Sequence, residues 1–344
     1  MKSTSTLPPL RAALFSLLAL AMPLRAAGDF LHFPARDGAG HGKKVVLIAG
    51  DDEYRSEESL PMLGKILSQR HGFDCTVLFP AGPDGVIKPS DHILLSNPAA
   101  LDGAEAIVML LRFRSWAPDD LKKFEAAYLR GVPIIGLRTS THAFDLPGEH
   151  PYSKWSWNSQ VPGWKGGFGK QVLGETWVDH HGAHKQEGCR GVIVAANKGH
   201  DILHGVVDVF ADSDVYTATA PADATVLMLG EVTDSLKPDS KPVAGRKNNP
   251  MQPIVWTRER TNEASKVNRI VTTTMGAATD LQNEDLRRLV VNSVFWGLKL
   301  TVPAKADVSY VDPYAPSMYG FGSERKNFKV SELDMGKPLP PPAP

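Results

Sequence analysis

What most constrains this chain is a set of short, nearly unbroken apolar runs separated by segments of helical spacing. Val45–Ala49, Phe73–Phe79, Ala104–Leu111 and Val132–Leu137 are such runs. A strand reads this way when both of its faces are buried, as in a parallel sheet. Between the runs, Leu60, Leu63 and Leu67 recur at helical spacing and stop at Gly72. Leu121, Phe124, Ala127 and Tyr128 do the same over Pro118–Leu129 and stop at Gly131. Strand–helix alternation at this spacing predicts an α/β fold: an open parallel sheet with helices on both faces. Such sheets bind ligands at the carboxyl ends of their strands, where strand order reverses.

The remainder divides by composition. Residues 1–27 hold Lys2, Arg11 and Arg25, no acid, an 11-residue apolar run (Ala12–Met22) and small residues at Ala26 and Ala27. This reads as a cleaved signal peptide, too short in its apolar run to span a bilayer. The expected location is therefore periplasmic or secreted, with no stable membrane insertion after cleavage. The whole chain has 38 basic and 38 acidic residues. Loss of the leader's three cations leaves the remainder slightly acidic, which argues against a nucleic-acid partner.

Residues 28–42 read as a linker or edge extension, 43–300 as the domain, and 301–344 as a C-terminal extension. The extension's polyproline-like end, Lys337–Pro344, is expected to be exposed. Within the domain, residues 145–170 form a loop bearing Trp155, Trp157 and Trp164. Those rings suit either a sugar-stacking platform or ordinary packing. Trp177–His181, Val192–Ala196, Val215–Ala220, Thr225–Gly230, Pro253–Thr257 and Arg269–Thr274 read as strands, and Asn283–Leu298 as an amphipathic helix. Cys75 and Cys189 are either a pair or two buried thiols. The pattern specifies no oligomeric state.

The predicted strand ends deliver the candidate chemistry. The first run leads to Asp51, Asp52, Glu53 and Arg55, the third to Arg112, and the fourth to Arg138, Ser140 and His142. Carboxylates and arginines gathered in one crevice suit a polyhydroxylated ligand. The fourth turn is where related folds carry a nucleophile, in the pattern G-x-nucleophile-x-G. Here the slot holds Arg138, which cannot be a nucleophile. Ser140 and His142 are two residues apart and do not face one another on a helical turn. Downstream, Asp179, His180, His181 and His184 cluster. In an extended strand Asp179 and His181 share a face and His180 points away.

Six segments in order resemble the trehalose-utilisation (ThuA-like) family of the class I glutamine amidotransferase-like superfamily. They are VVLIAGDDEYRSEESLPMLGKIL, PIIGLRTSTHAF, VLGETWVDHHGAH, HDILHGV, PIVWTRE and RIVTTTMGAATDLQNEDLRRLVVNSVFWGL. The resemblance covers about residues 43–300. It implies a flavodoxin-like fold, a crevice at the fourth-strand turn, a link to carbohydrate metabolism and no glutaminase chemistry. This chain departs from the family at Arg138 and Ala277, where many members have histidine. His142 and His181 match positions that usually stay polar in the family.

The expected activity is binding or processing of a small carbohydrate-like ligand. Asp51, Asp52, Glu53, Arg55, Arg112, Arg138 and Ser140 would hold the ligand, and His142 or His181 would act as acid or base. No cofactor is required by this reading. Two other readings stand beside it: a non-catalytic glycan-binding protein, and a hydrolase using a divalent metal on Asp179, His181 and His184.

Overall fold

The computed structural model describes residues 28–339, together with Met1 and Pro341. The expected leader, Met1 apart, lies outside the described residues. The strands are β1 (Leu31–Phe33), β2 (Lys44–Gly50), β3 (Asp74–Leu78), β4 (Ala106–Leu111), β5 (Ile134–Leu137), β6 (Gly188–Ile193), β7 (Val209–Ala211), β8 (Thr225–Thr233), β9 (Gln252–Thr261) and β10 (Val267–Thr273). The α-helices are α1 (Ser56–His71), α2 (Pro118–Leu129) and α3 (Glu284–Gly297).

These described strands form one sheet in the order β1-β3-β2-β4-β5-β10-β9-β8-β6-β7. Its centre, β3-β2-β4-β5-β10, is parallel throughout. In chain order that centre reads 2-1-3-4-5, the flavodoxin-like arrangement, with its switch point between β2 and β4. The sheet is mixed rather than wholly parallel. Between β5 and β10 the chain makes an antiparallel excursion through β6 to β9, and β1 pairs antiparallel at the far edge.

Both sheet faces are buried, as the apolar runs require. Val45, Leu47 and Ala49 of β2 join the core beneath α1 and α3. Val46 and Ile48 join the core beneath α2. Trp155 lies wholly within that second core, against Phe124, Phe144 and Phe168, and Trp164 packs on it. For these two rings packing, not a sugar platform, is the outcome. α3 begins at Asn283, whose side chain accepts from the Leu286 N–H at 2.8 Å, as a good N-cap does.

The segment expected to be a linker contains edge strand β1. Trp177–His181 and Val215–Ala220 are not ladder strands. They meet at a single bridge, His180 with Tyr216. The C-terminal extension is not a free tail: Val308, Tyr314, Phe328, Val330 and Leu339 enter the core. Leu339, inside the polyproline-like end, is buried, although Lys337, Pro338 and Pro341 are exposed. Cys75 and Cys189 are free, buried thiols. Their strands, β3 and β6, stand second and ninth in the sheet order, far beyond disulfide reach at about 4.8 Å per strand. Among the described residues no helix is long and apolar enough to cross a membrane.

Candidate functional site

The parallel strands all end at one edge, with Gly50 beside Leu111 and Leu137 beside Thr273. The turns beyond them are tight. Arg55, Phe113 and Arg138 follow β2, β4 and β5 with φ of 58°, 48° and 42°. Side-chain-bearing residues rarely take this left-handed conformation, and such strain gathers at functional sites.

After β2, the Asp51 carboxylate accepts the Glu53 N–H at 2.7 Å and the Tyr54 N–H, and the Thr139 hydroxyl donates to it at 2.5 Å. This Asx-type turn aims Glu53 inward. After β4, Arg112 lies between the rings of Phe113 and Phe321, 4.6 and 4.7 Å from their centroids. It donates to Asp52 at 3.0 Å, and His92 reaches the same carboxylate at 3.2 Å. Burial works to raise the Asp52 carboxyl, but the bonds from His92 and Arg112 and the Arg112 charge outweigh it and hold it at about 2.

These elements surround a cleft of about 270 Å³ lined by Glu53, Arg112, Phe113, His142, Trp177, His180, His184, Tyr216 and Phe321. It sits at the switch point, where the topology places a ligand. Its floor is one connected set of polar groups. Glu53 Oε1 is 3.0 Å from His184 Nε2. His184 Nδ1 is 3.0 Å from Asp214 Oδ1, and His180 Nδ1 is 2.7 Å from Asp214 Oδ2. Arg138 donates to Asp214 Oδ1 at 2.8 Å and to the Asp214 and Thr274 carbonyls at 2.5 and 2.8 Å. Its guanidinium lies 3.9 Å from the Tyr216 ring centroid and 4.6 Å from that of Tyr54.

The charges follow from these contacts. Burial alone would raise the Asp214 carboxyl, but the Arg138 charge and the histidine bonds hold it well below the usual range. Burial, then the Asp51 charge, raises Glu53, against the opposing charges of His184 and the arginines. Burial and the charges of Arg112 and Arg138 press the His142 imidazole well below its ordinary value, so it is neutral at pH 7. His142 packs against Phe113 and Trp177 with its Nδ1 3.1 Å from the Thr141 hydroxyl.

Of the residues singled out in the sequence, Glu53, Arg112 and His142 line the cleft, joined by His184. Asp51, Asp52 and Arg138 stand behind it and hold its walls. Four expected members lie elsewhere. Ser140 Oγ donates to the Met109 carbonyl at 2.9 Å and accepts from the Leu111 N–H, tying the β5 turn to β4. The buried Arg55 guanidinium turns away to the Gly320 carbonyl and the Ser323 hydroxyl. His181 Nε2 meets the Lys247 carbonyl at 2.8 Å, and Asp179 is exposed. The metal set Asp179, His181 and His184 is therefore not assembled. The side chains that do converge are His180, His184 and Asp214.

Strand alternation failed here because residues 177–181 form one bridge rather than a ladder. Trp177, His180 and His184 reach the cleft at spacings of three and four, a signal present in the sequence. Asp214, Tyr216 and Phe321 carried no local signal. Trp157 props the wall from behind, 5.5 Å from Phe113 and 6.5 Å from Trp177.

Strand order defines an open flavodoxin-like α/β fold, and Arg138 occupies the left-handed turn after β5. Solved structures similar to this chain include a ThuA-like protein from Parabacteroides merdae, at 15% identity and a TM-score of 0.43 over 74% of this chain and 90% of that one. A ThuA-like protein from Bacteroides uniformis gives 15% and 0.43 over 77% and 94%. PurLQS from Thermotoga maritima gives 10% and 0.38 over 74% and 98%. No protein-family model and no curated protein matches. At such identities and scores the fold assignment rests on the strand order itself.

Proposed function

We propose that this is an exported ThuA-like protein that binds and processes a small carbohydrate-like ligand in the cleft at the switch point. The observation that carries the reading is the floor sequence Glu53–His184–Asp214–His180, opening between aromatic walls. Hydrogen-bonded carboxylate and imidazole groups can take and return protons where a ligand hydroxyl would lie. Phe113, Trp177 and Phe321 offer flat apolar faces of the kind that pack on sugar C–H surfaces. Arg112 and His142 add a donor fork and a neutral imidazole.

One observation favours a binding protein instead. Arg138 stands at the β5 turn, and its two terminal nitrogens donate to Asp214, Thr274 and Tyr54. A guanidinium supplies no nucleophile at that turn, which in this reading leaves proton transfer to the histidines. Calorimetric titration with a panel of mono- and disaccharides, followed by product analysis, separates the readings. Binding with turnover that drops at least 100-fold in H184A supports the enzyme. Binding without any product supports the glycan-binding protein. Absence of binding across the panel sinks both.

A further inference from the structure

We propose that His180, His184 and Asp214 form a site for one divalent transition-metal ion of the zinc type at the floor of the cleft. One ligand atom from each of the three residues lies within 4.8 Å of the others. Both imidazoles turn Nδ1 toward the same carboxylate, at 2.7 and 3.0 Å, with ring centroids 4.8 Å apart. Tetrahedral coordination at about 2.0–2.1 Å sets neighbouring ligand atoms roughly 3.3 Å apart. The two imidazole–carboxylate distances need to open by about half an ångström, and the two imidazole nitrogens, within 4.8 Å of each other, need to settle to the same spacing. Ligation requires both Nδ1 atoms unprotonated, so an entering ion displaces any proton that bridges them to Asp214.

The surroundings match what metal-bound histidines require. The second nitrogen of His184 faces Glu53 Oε1 at 3.0 Å. A carboxylate in that position fixes the tautomer that leaves Nδ1 free to ligate. Asp214 is in turn held by Arg138 at 2.8 Å, with both side chains wholly buried. Asp214 pairs with Arg138 and Asp52 with Arg112, which leaves the Glu53 carboxyl facing the site, so a dication is not opposed. Two imidazoles and one carboxylate favour zinc, cobalt or iron over calcium or magnesium, which prefer all-oxygen shells. Because His180 and His184 line the cleft, a remaining coordination position is open to a ligand. The metal site shares the cleft with the proposed function but does not depend on a sugar being its occupant.

The test uses the protein purified without a metal-affinity tag, stripped with chelator and titrated with Zn²⁺ alone. The expected result is one equivalent bound, with Co²⁺ giving the visible bands of a tetrahedral site. H184A and H180A should each weaken Zn²⁺ binding at least 100-fold while keeping the wild-type circular dichroism. E53Q should weaken it about 10–100-fold, the usual effect of losing an outer partner. H181A should bind as wild type. Less than about a tenth of an equivalent on folded wild-type protein overturns the proposal, as does equal loss in H181A. Sugar binding by the stripped protein would overturn neither claim about the cleft itself, so the two readings fail separately.

Discussion

Arg138 and Asp214 form an ion pair at 2.8 Å in which neither side chain reaches solvent. The pair joins the β5 turn to the segment after β7 and so closes the floor of the cleft. Its members have further partners: Asp214 meets both cleft histidines, and Arg138 donates to two carbonyls and the Tyr54 hydroxyl, while its buried Nε has no partner. Removing one member of such a pair leaves an uncompensated buried charge, at a typical cost of about 3–5 kcal/mol. R138A should lose that much in urea denaturation. A loss below about 1 kcal/mol would show that the pair does not hold the site together.

Phe321 is 58% exposed and comes from the C-terminal extension, yet it lines the cleft and covers Arg112. F321A should leave thermal stability within about 0.5 kcal/mol of wild type, as surface substitutions do. Ligand affinity should fall about tenfold. Unchanged affinity would remove Phe321 from the site.

Glu57 is buried in the first turn of α1, and neither carboxyl oxygen has a hydrogen-bond partner. Burial pushes its carboxyl up to about 8, against the opposing charge of Arg55. In the unfolded chain a glutamate titrates near 4.3. The folded state therefore holds the proton more tightly. Its contribution to stability is fully present below about pH 4.3 and is lost as pH rises toward and through about 8. E57Q should gain on wild type over that interval, so their melting temperatures diverge as pH rises from 5 to 8.5. Parallel Tm–pH curves would refute it.

Glu58 anchors the extension to α1. Its buried carboxylate accepts from Arg325 Nε at 2.7 Å and from the Ser317 N–H and hydroxyl at 2.7 and 2.8 Å. E58A strands those donors and should cost roughly 3–5 kcal/mol. Limited proteolysis should then cut within residues 312–325 well before the domain. Cleavage no faster than in wild type would mean that other contacts hold the strap.

The central sheet was legible because its signals are local. Runs buried on both faces mark β2, β4 and β5, and helical periodicity with Gly72 and Gly131 as stops marks α1 and α2. The carboxyl-edge rule places Glu53, Arg112 and His142 together, and all three line the cleft. Extended-strand parity chose His181 over His180, and it failed because one bridge to Tyr216 sets the orientation there.

By itself, then, the sequence determined the parallel core and the edge at which chemistry gathers, since both follow from spacing along a few residues. Tertiary structure alone decided the rest. Asp214 joins His180 and His184 only because the antiparallel excursion folds back on the β5 turn. Phe321 reaches the cleft from an extension that Glu58 and Lys65 hold against α1, Lys65 through Asp312 at 2.6 Å. Such pairings span tens to hundreds of residues, and no periodicity within a segment can encode which distant carboxylate or ring it will meet.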